Sequence, residues 1–339
     1  MTERVLVVGP SWVGDMVMTQ PMLTLIKARA PDTLIDVLAP SWVLPLAARM
    51  PEVHAGLTSP FRHGDFAFGA RRRLAAELAA NRYDRAIVLP NAWKSALVPW
   101  LAGIPHRTGW IGEFRHGLLN DARKLDPQRL PRMVQRFCAL ALDRDAALPA
   151  ELPVPRLTSD PAKRATLLER LGLLADPPVV CFCPGAEYGP AKRWPAVHFA
   201  TLARALAQRG LQVWLMGSAR DREVTAPIAA AAGAACRDLA GATSLDEAVD
   251  LMAAAALVVT NDSGLMHVAA ALDRPTLALF GSSSPDFTPP LSDRARIVRN
   301  VVPCSPCFQR ECPLGHFDCM RKLEPATVLA QAKVILDGA

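Results

Sequence analysis

Short, continuously apolar runs alternate with longer amphipathic stretches along this chain, and this alternation restricts the folds it can adopt. Runs such as Val179–Cys183 and Thr276–Phe280 have the length and composition of buried strands. Stretches such as Pro195–Gln208 have helical spacing. The first half shows the same pattern, in which Arg4–Val8 precedes a helical stretch from Asp15 to Arg29. Apolar strands separated by helices predict an α/β fold with parallel sheets covered on both faces.

The length of 339 residues suits two domains of about 150 residues each. A proline-rich stretch from Pro149 to Pro161 predicts a semi-rigid linker. We therefore expect a Rossmann-like domain over residues 1–155, a second over 156–324 and a C-terminal helix over 325–339. In open α/β domains of this kind, ligands bind at the carboxyl ends of the strands.

Positive charge is concentrated in the first half. Residues 1–150 contain 19 Lys and Arg against 13 Asp and Glu, whereas residues 151–339 contain 19 of each. This asymmetry predicts that the first half faces nucleic acid, a membrane surface or a phosphorylated substrate. The basic side chains expected on that surface are Arg62, His63, Arg71–Arg73, Arg115, His116, Arg123 and Lys124. No apolar run approaches the roughly 20 residues of a spanning helix, and no secretory pattern is present, so we expect a cytosolic protein.

The most informative loop is FCPGAEYGPAKRWP, residues 182–195. It begins as a buried strand and continues as a Gly/Pro loop up to Pro195, which suits a first helical turn. Such a loop directs backbone N–H groups at an anion, and Lys192 and Arg193 add positive charge. This pattern predicts a phosphate or pyrophosphate site.

Another loop, GPSWVGDMVMTQP, covers residues 9–21 and follows the first strand. It carries Asp15, a carboxylate that a phosphate site would avoid. Asp15 is either a helix cap or a general base at the carboxyl end of the strand, and the pattern alone leaves both interpretations open.

Two further strand ends carry candidate ligand-binding residues. In NDSGLMHVAAAL, residues 261–272, the helix start after Asn261 could bind phosphate oxygens or could be a plain N-cap. His267 either donates a hydrogen bond to a bound phosphate or is a packed core histidine. Asp221 and Glu223 follow the strand Gln212–Met216. A carboxylate there could bind a ribose, or it could simply be a first-turn acid that the helix dipole stabilises.

Four cysteines lie close together in CSPCFQRECPLGHFDC: Cys304, Cys307, Cys312 and Cys319. A CxxC followed by two more thiols has metal-ligand spacing, which predicts a possible structural zinc site. His316 could replace one thiol. The alternatives are inert or redox-active thiols and, less readily in a reducing compartment, disulfides.

Taken together, these motifs resemble those of the bacterial ADP-heptose:lipopolysaccharide heptosyltransferases, glycosyltransferase family 9. The segments that carry the resemblance are GPSWVGDMVMTQP, YDRAIVLPNAWKSALVPWLAGIPHRTGW, FCPGAEYGPAKRWP, NDSGLMHVAAAL and SSPDFTPPL. The resemblance implies a GT-B fold, in which two Rossmann-like domains have parallel sheets facing a central cleft. It also implies that the C-terminal helix packs back on the first domain. The cysteine cluster is not part of the family pattern.

The resemblance implies an inverting glycosyltransferase. It would move L-glycero-D-manno-heptose from ADP-heptose onto the first heptose of a phosphorylated Kdo-lipid A acceptor, heptosyl-Kdo2-lipid A. Asp15 would be the general base, and Lys192 would neutralise charge on the departing ADP. No cofactor would be needed for catalysis. The implied location is the cytoplasm, with peripheral contact at the cytosolic face of the inner membrane and no nucleic-acid partner.

The family's binding residues also carry over by position. Those implied for the donor are Gly185, Ala186, Glu187, Tyr188, Ser218, Asp221, Glu223, Thr243, Asp262, Ser263, Gly264 and His267. Those implied for the acceptor are Ser11, Trp12, Gly14, Asn91, Lys94, Arg107 and Trp110. The alternatives are a family member that adds the first heptose, another GT-B sugar-nucleotide enzyme, and a non-catalytic nucleotide- or membrane-binding module.

Overall fold

Each half of the chain folds around its own parallel sheet, and the boundary lies after Pro155. The computed structural model describes residues 2–62 and 64–338, so the predicted surface residue His63 lies outside the described residues. Both sheets are parallel throughout and are interleaved with helices. The predicted α/β class is therefore confirmed.

The first unit has the strand order β3-β2-β1-β4-β5-β6. Its strands are β1 (Arg4–Val8), β2 (Leu34–Ala39), β3 (Ala55–Thr58), β4 (Arg85–Val88), β5 (His106–Trp110) and β6 (Asp121–Arg123). Its helices are α1 (Val13–Arg29), α2 (Leu44–Ala47), α3 (Phe68–Ala79), α4 (Leu97–Leu101) and α5 (Met133–Ala141). The order reverses between β1 and β4, which makes that point the switch point of the sheet.

The second unit repeats this topology in the order β12-β11-β10-β7-β8-β9. Its strands are β7 (Val179–Cys183), β8 (Gln212–Leu215), β9 (Arg237–Asp238), β10 (Leu257–Asn261), β11 (Thr276–Phe280) and β12 (Ala295–Arg299). Its helices are α6 (Pro161–Leu171), α7 (Ala196–Ala207), α8 (Arg222–Ala232), α9 (Leu245–Met252), α10 (Gly264–Ala271), α11 (Asp318–Arg321) and α12 (Pro325–Asp337). Its switch point lies between β7 and β10.

The central strands explain why the apolar runs are continuous. Every residue of β7, β10 and β11 is buried. A strand covered by helices on both faces has no solvent side, so alternation of polar and apolar residues is lost. Within the part of the chain that the structure describes, no helix is long and apolar enough to cross a membrane.

The C-terminal helix α12 contributes to the core of the second unit. Its residues Val328 and Ala332 are fully buried in the cluster that includes Phe199 and Leu202 of α7. This apolar contact explains the amphipathic pattern of the helix. The implied packing of this helix on the first domain stays a prediction.

A buried arginine ties two loops of the first unit together. The Arg115 side chain donates from Nε to the Trp110 carbonyl at 2.9 Å and from Nη1 to the Pro90 carbonyl at 2.6 Å. Burial lowers the pKa of its guanidinium to about 10. Arg115 thus connects the end of β5 to the loop after β4, although the sequence predicted it on the surface.

Replacing Arg115 with Met should lower the free energy of unfolding by about 2–3 kcal/mol, because buried carbonyls lose charged donors. The measurement is urea unfolding followed by circular dichroism. The matched control is Arg72→Met, in which an exposed arginine of α3 is replaced and a change within about 0.5 kcal/mol is expected. Equal stability of the two variants would contradict the structural role of Arg115.

Candidate active site

The first unit brings two predicted loops together at its switch point. Strands β1 and β4 are neighbours, so the loops that follow Val8 and Val88 leave the same edge of the sheet. Ser11 and Trp12 are exposed in the first loop, and the Trp42 indole donates to the Ser11 carbonyl at 2.9 Å. This edge is where open α/β sheets bind their ligands.

Asp15 lies half-buried in the first turn of α1, one residue after Gly14. A carboxylate in this position is favoured by the positive end of the helix dipole. The Thr19 hydroxyl donates to the Asp15 carbonyl at 2.8 Å, which secures the turn. The N-cap of α1 is Trp12 and carries no side-chain capping bond, so Asp15 is a first-turn residue rather than the cap. Its role as a general base at the carboxyl end of β1 stays a prediction.

The remaining predicted acceptor residues follow β4 or lie in β5. Lys94 donates to the Gly64 carbonyl at 2.7 Å. Asn91, three residues earlier in the sequence, is exposed. Arg107 donates to the carbonyls of its own unit at Ile104 and Leu118, at 2.5 and 2.7 Å. Trp110 is buried, and its indole donates to the Arg136 carbonyl at 3.1 Å. Arg107 and Trp110 therefore stabilise the first unit by hydrogen bonds to its backbone, and an acceptor contact for either residue stays a prediction.

The predicted basic surface needs correction at three positions. Arg71, Arg115 and Arg123 are buried, and each guanidinium donates to backbone carbonyls. Arg71 reaches the Phe66 carbonyl at 2.8 Å and stacks on a phenylalanine ring. Part of the positive surplus of the first half is therefore structural. The exposed members of the set are Arg62, Arg72, Arg73, His116 and Lys124.

In the second unit, three side chains meet at the switch point between β7 and β10. Lys192 Nζ lies 2.5 Å from Asp262 Oδ2, and the Ser283 hydroxyl donates to the same oxygen at 2.5 Å. The Asp262 side chain is only 5% exposed and that of Lys192 only 16% exposed. Lys192 and Asp262 were predicted from the sequence, whereas Ser283 was not, although it lies in the segment SSPDFTPPL that carried the family resemblance.

The buried amide of Asn261 holds the loop that carries Lys192. Its Oδ1 accepts from the Trp194 backbone N–H at 3.1 Å, and its Nδ2 donates to the Pro184 carbonyl at 2.6 Å. One side chain thus fixes both ends of the loop. Sequence reasoning missed this role, because an Asn at a strand end also has the ordinary meaning of a turn residue.

The loop between these ends places the other predicted donor residues. Gly185 has no room for a side chain because a Cβ would collide with the Asp221 carboxylate. Ala186 is buried, and Glu187 pairs with Arg220 at 3.0 Å. The Tyr188 ring lies 5.0 Å from Lys192 Nζ, within reach of a cation–π contact.

Of the four residues predicted near the ribose and adenine, Ser218 and Asp221 also form a cap at a helix start. Asp221 Oδ2 accepts from both the backbone N–H and the hydroxyl of Ser218 at 2.8 Å, which closes a capping box. Glu223 pairs with Arg193 at 3.0 Å. Thr243 is half-buried just before the N-cap of α9. A donor contact at these four positions stays a prediction.

Helix α10 starts directly after Asp262, with Ser263 as its N-cap and Gly264 as its first residue. The start of a helix attracts an anion through its N–H groups and dipole, although the Met266 N–H of this first turn already donates to the Ser263 carbonyl at 3.2 Å. His267 lies one turn in and is buried. Burial lowers the pKa of His267 to about 4, so its imidazole is neutral at pH 7. Among the described residues, His267 Nδ1 has no hydrogen-bond partner.

The four clustered cysteines line a cavity of about 20 Å³ together with His316. Cys304 Sγ lies 3.9 Å from His316 Nε2, and Cys312 Sγ accepts from the Phe317 backbone N–H at 3.4 Å. That backbone contact is the largest of several that lower the pKa of the Cys312 thiol. Within residues 2–62 and 64–338, no group of three or more Cys, His, Asp or Glu side chains is placed to hold a metal ion. The predicted structural zinc site therefore finds no support in these positions.

Comparison with known proteins identifies the family. Residues 71–318 match the model of the family described as glycosyltransferase family 9 (heptosyltransferase). The chain belongs to glycosyltransferase family 9. It is 49% identical to the lipopolysaccharide heptosyltransferase 2 of Salmonella typhimurium over 98% of both chains. It is 50% identical to the lipooligosaccharide heptosyltransferase 2 of Haemophilus influenzae over 88% of this chain and 89% of that protein.

A solved structure supports the same conclusion for the fold. The structure described as E. coli ADP-heptose LPS heptosyltransferase II matches this family 9 chain with a TM-score of 0.90 and 48% identity, over 99% of both chains. The predicted GT-B fold is therefore confirmed. The chain is a glycosyltransferase, which excludes a purely non-catalytic binding module.

The buried imidazole of His267 should make stability depend on pH. Because its pKa falls from 6.5 to about 4 on folding, its contribution is complete above pH 6.5 and is lost as pH falls toward 4. At pH 5 the loss is about 2 kcal/mol. The check is the free energy of unfolding at pH 7 and pH 5 for the wild type and His267→Leu. The variant should lose about 2 kcal/mol less than the wild type on acidification, while a control at exposed His106, His106→Gln, should behave like the wild type.

Proposed function

We propose that this glycosyltransferase moves a heptose from ADP-heptose onto the first heptose of the lipopolysaccharide inner core, the reaction expected of a heptosyltransferase II. The observation that carries the proposal is the Lys192–Asp262 pair at the switch point of the second sheet. It occurs in a chain that is 49% identical, over nearly its whole length, to a protein named lipopolysaccharide heptosyltransferase 2.

The second unit would bind the donor. The diphosphate of ADP-heptose would lie against the first turn of α10 and Lys192, because N–H groups and an ammonium both attract phosphate oxygens. Ser218, Asp221 and Thr243 stand at the ends of β8 and β9, where the ribose and adenine would lie. As the bond from the anomeric carbon to phosphate breaks, its electron pair stays on ADP, and Lys192 would stabilise that charge.

The first unit would bind the acceptor and supply the base. Asp15 would take the proton from the acceptor heptose hydroxyl while the oxygen of that hydroxyl forms a bond to the anomeric carbon of the donor. A single displacement of ADP from the opposite face inverts the configuration at that carbon. Exposed basic residues such as Arg72 and Lys124 would face the phosphates of a Kdo-lipid A acceptor at a membrane surface. The proposed transfer requires no metal cofactor, because positive groups of the protein itself, Lys192 and the first turn of α10 among them, would stabilise the departing ADP.

The acceptor is tested by an ADP-release assay with ADP-heptose in the presence of EDTA. We expect turnover with heptosyl-Kdo2-lipid A in vesicles, and none with Kdo2-lipid A that lacks the heptose. Turnover with the bare Kdo acceptor would instead indicate transfer of the first heptose. A rate that EDTA abolishes and Mg²⁺ restores would contradict metal-free transfer. Co-sedimentation with the vesicles that weakens with salt would support the membrane contact.

The base is tested by Asp15→Asn. An amide cannot accept the acceptor proton, so kcat should fall by at least about 100-fold, the usual contribution of general base catalysis. The dissociation constant for ADP, measured by calorimetry, should stay within about twofold, since ADP binds to the second unit. The control Asp32→Asn changes an exposed carboxylate of the same unit and should leave kcat unchanged. Turnover of Asp15→Asn near the wild-type rate would exclude Asp15 as the base.

A further inference from the structure

The cysteine segment, residues 304–319, packs against the loop that carries Lys192. The Ala191 backbone N–H donates to the Arg310 carbonyl at 3.0 Å, and the Tyr188 hydroxyl donates to the Phe308 carbonyl at 2.7 Å. At Gly189, a Cβ would collide with the backbone of Arg310, so glycine permits this close approach. The two segments are therefore joined by one backbone–backbone and one side chain–backbone hydrogen bond, and the position of Arg310 is tied to that of the loop.

The cations of this loop are largely offset by carboxylates. Lys192 pairs with Asp262 at 2.5 Å, and Arg193 pairs with Glu223 at 3.0 Å. A pair of opposite unit charges has no net charge, so the Lys192–Asp262 pair cannot by itself balance a diphosphate. The site needs a further source of positive charge beside the weak field of a helix N-terminus.

Arg310 can supply that charge. Its guanidinium lies 5.2 Å from the centre of the Tyr188 ring, the same ring that Lys192 approaches at 5.0 Å. The residue is exposed, and among the described residues it forms no ion pair with a carboxylate. A guanidinium has a planar fork of donors that matches two phosphate oxygens at once.

We propose that Arg310 binds the diphosphate of the sugar nucleotide together with Lys192, and that the cysteine segment serves to place it there. This inference rests on the proposed function, because that function defines the ligand. It gives a role to a segment for which the sequence predicted only a structural metal site. The segment was not expected to belong to the family pattern, but residues 304–318 fall within the matched family model. Tyr188 then has a positioning role, since its ring lies beside both cations.

The test measures binding of ADP, inorganic pyrophosphate and adenosine by calorimetry at low salt. Arg310→Ala should raise the dissociation constants of ADP and pyrophosphate about tenfold, equivalent to about 1.4 kcal/mol. Binding of adenosine, which has no phosphate, should not change. Arg310→Lys should retain most of the affinity, because it retains the charge. The matched control is Arg321→Ala, which removes an arginine that contacts the Phe317 ring instead, and its affinities should stay within about twofold of the wild type.

Other outcomes of these binding measurements would contradict the role of Arg310 or the proposed function. Arg310→Ala with wild-type affinity for ADP and pyrophosphate would overturn the proposal. Equal weakening of ADP and adenosine with a lower Tm would also overturn it, because it would indicate a structural role. A wild type that binds pyrophosphate but not ADP would contradict the proposed function and leave Arg310 testable with pyrophosphate. A wild type that binds neither would exclude the diphosphate site and Arg310 with it.

Discussion

The candidate site of the second unit depends on one buried amide. Asn261 is the last residue of β10, and its side chain holds Pro184 and Trp194 at the two ends of the loop after β7. The next residue, Asp262, pairs with Lys192 near the end of that loop. Because adjacent residues fix the loop and bind its lysine, the sheet itself sets the distance between ammonium and carboxylate. A loop without this bridge would have to order itself around the ligand, at an entropic cost.

The electrostatics of this site follow from burial. A buried ion pair is tolerated only when further hydrogen bonds satisfy it, and the Ser283 hydroxyl provides one to Asp262. The neighbouring His267 stays neutral at pH 7, because burial opposes a second positive charge beside Lys192. The centre of the site is thus close to neutral before a ligand binds. If the site binds an anionic donor as proposed, further positive charge must come from around this pair, where the first turn of α10 and Arg310 are found.

The sequence predicts the centre of each sheet better than its periphery, for a physical reason. Strands such as β7 (Val179–Cys183) are buried on both faces, so their residues are uniformly apolar and easy to recognise. Strand β5 reads HRTGW and β12 reads ARIVR, and both were missed because partial exposure permits polar residues. Charge counting had a similar weakness at Arg115. The count does not show whether a guanidinium faces solvent or is satisfied by carbonyls inside the fold.

In the cysteine segment, the spacing of the cysteines along the sequence predicts only part of the structure. A CxxC and two later thiols predict that these side chains gather, and they do line one cavity with His316. Spacing does not predict how close the sulfurs come, and among the described residues they form no metal-binding group. The contacts that join the segment to the Lys192 loop are made by the backbone at Phe308 and Arg310. Backbone contacts leave no mark on residue identity, except at Gly189, where a side chain has no room. The contact between this segment and the Lys192 loop can therefore be recognised only in the three-dimensional structure.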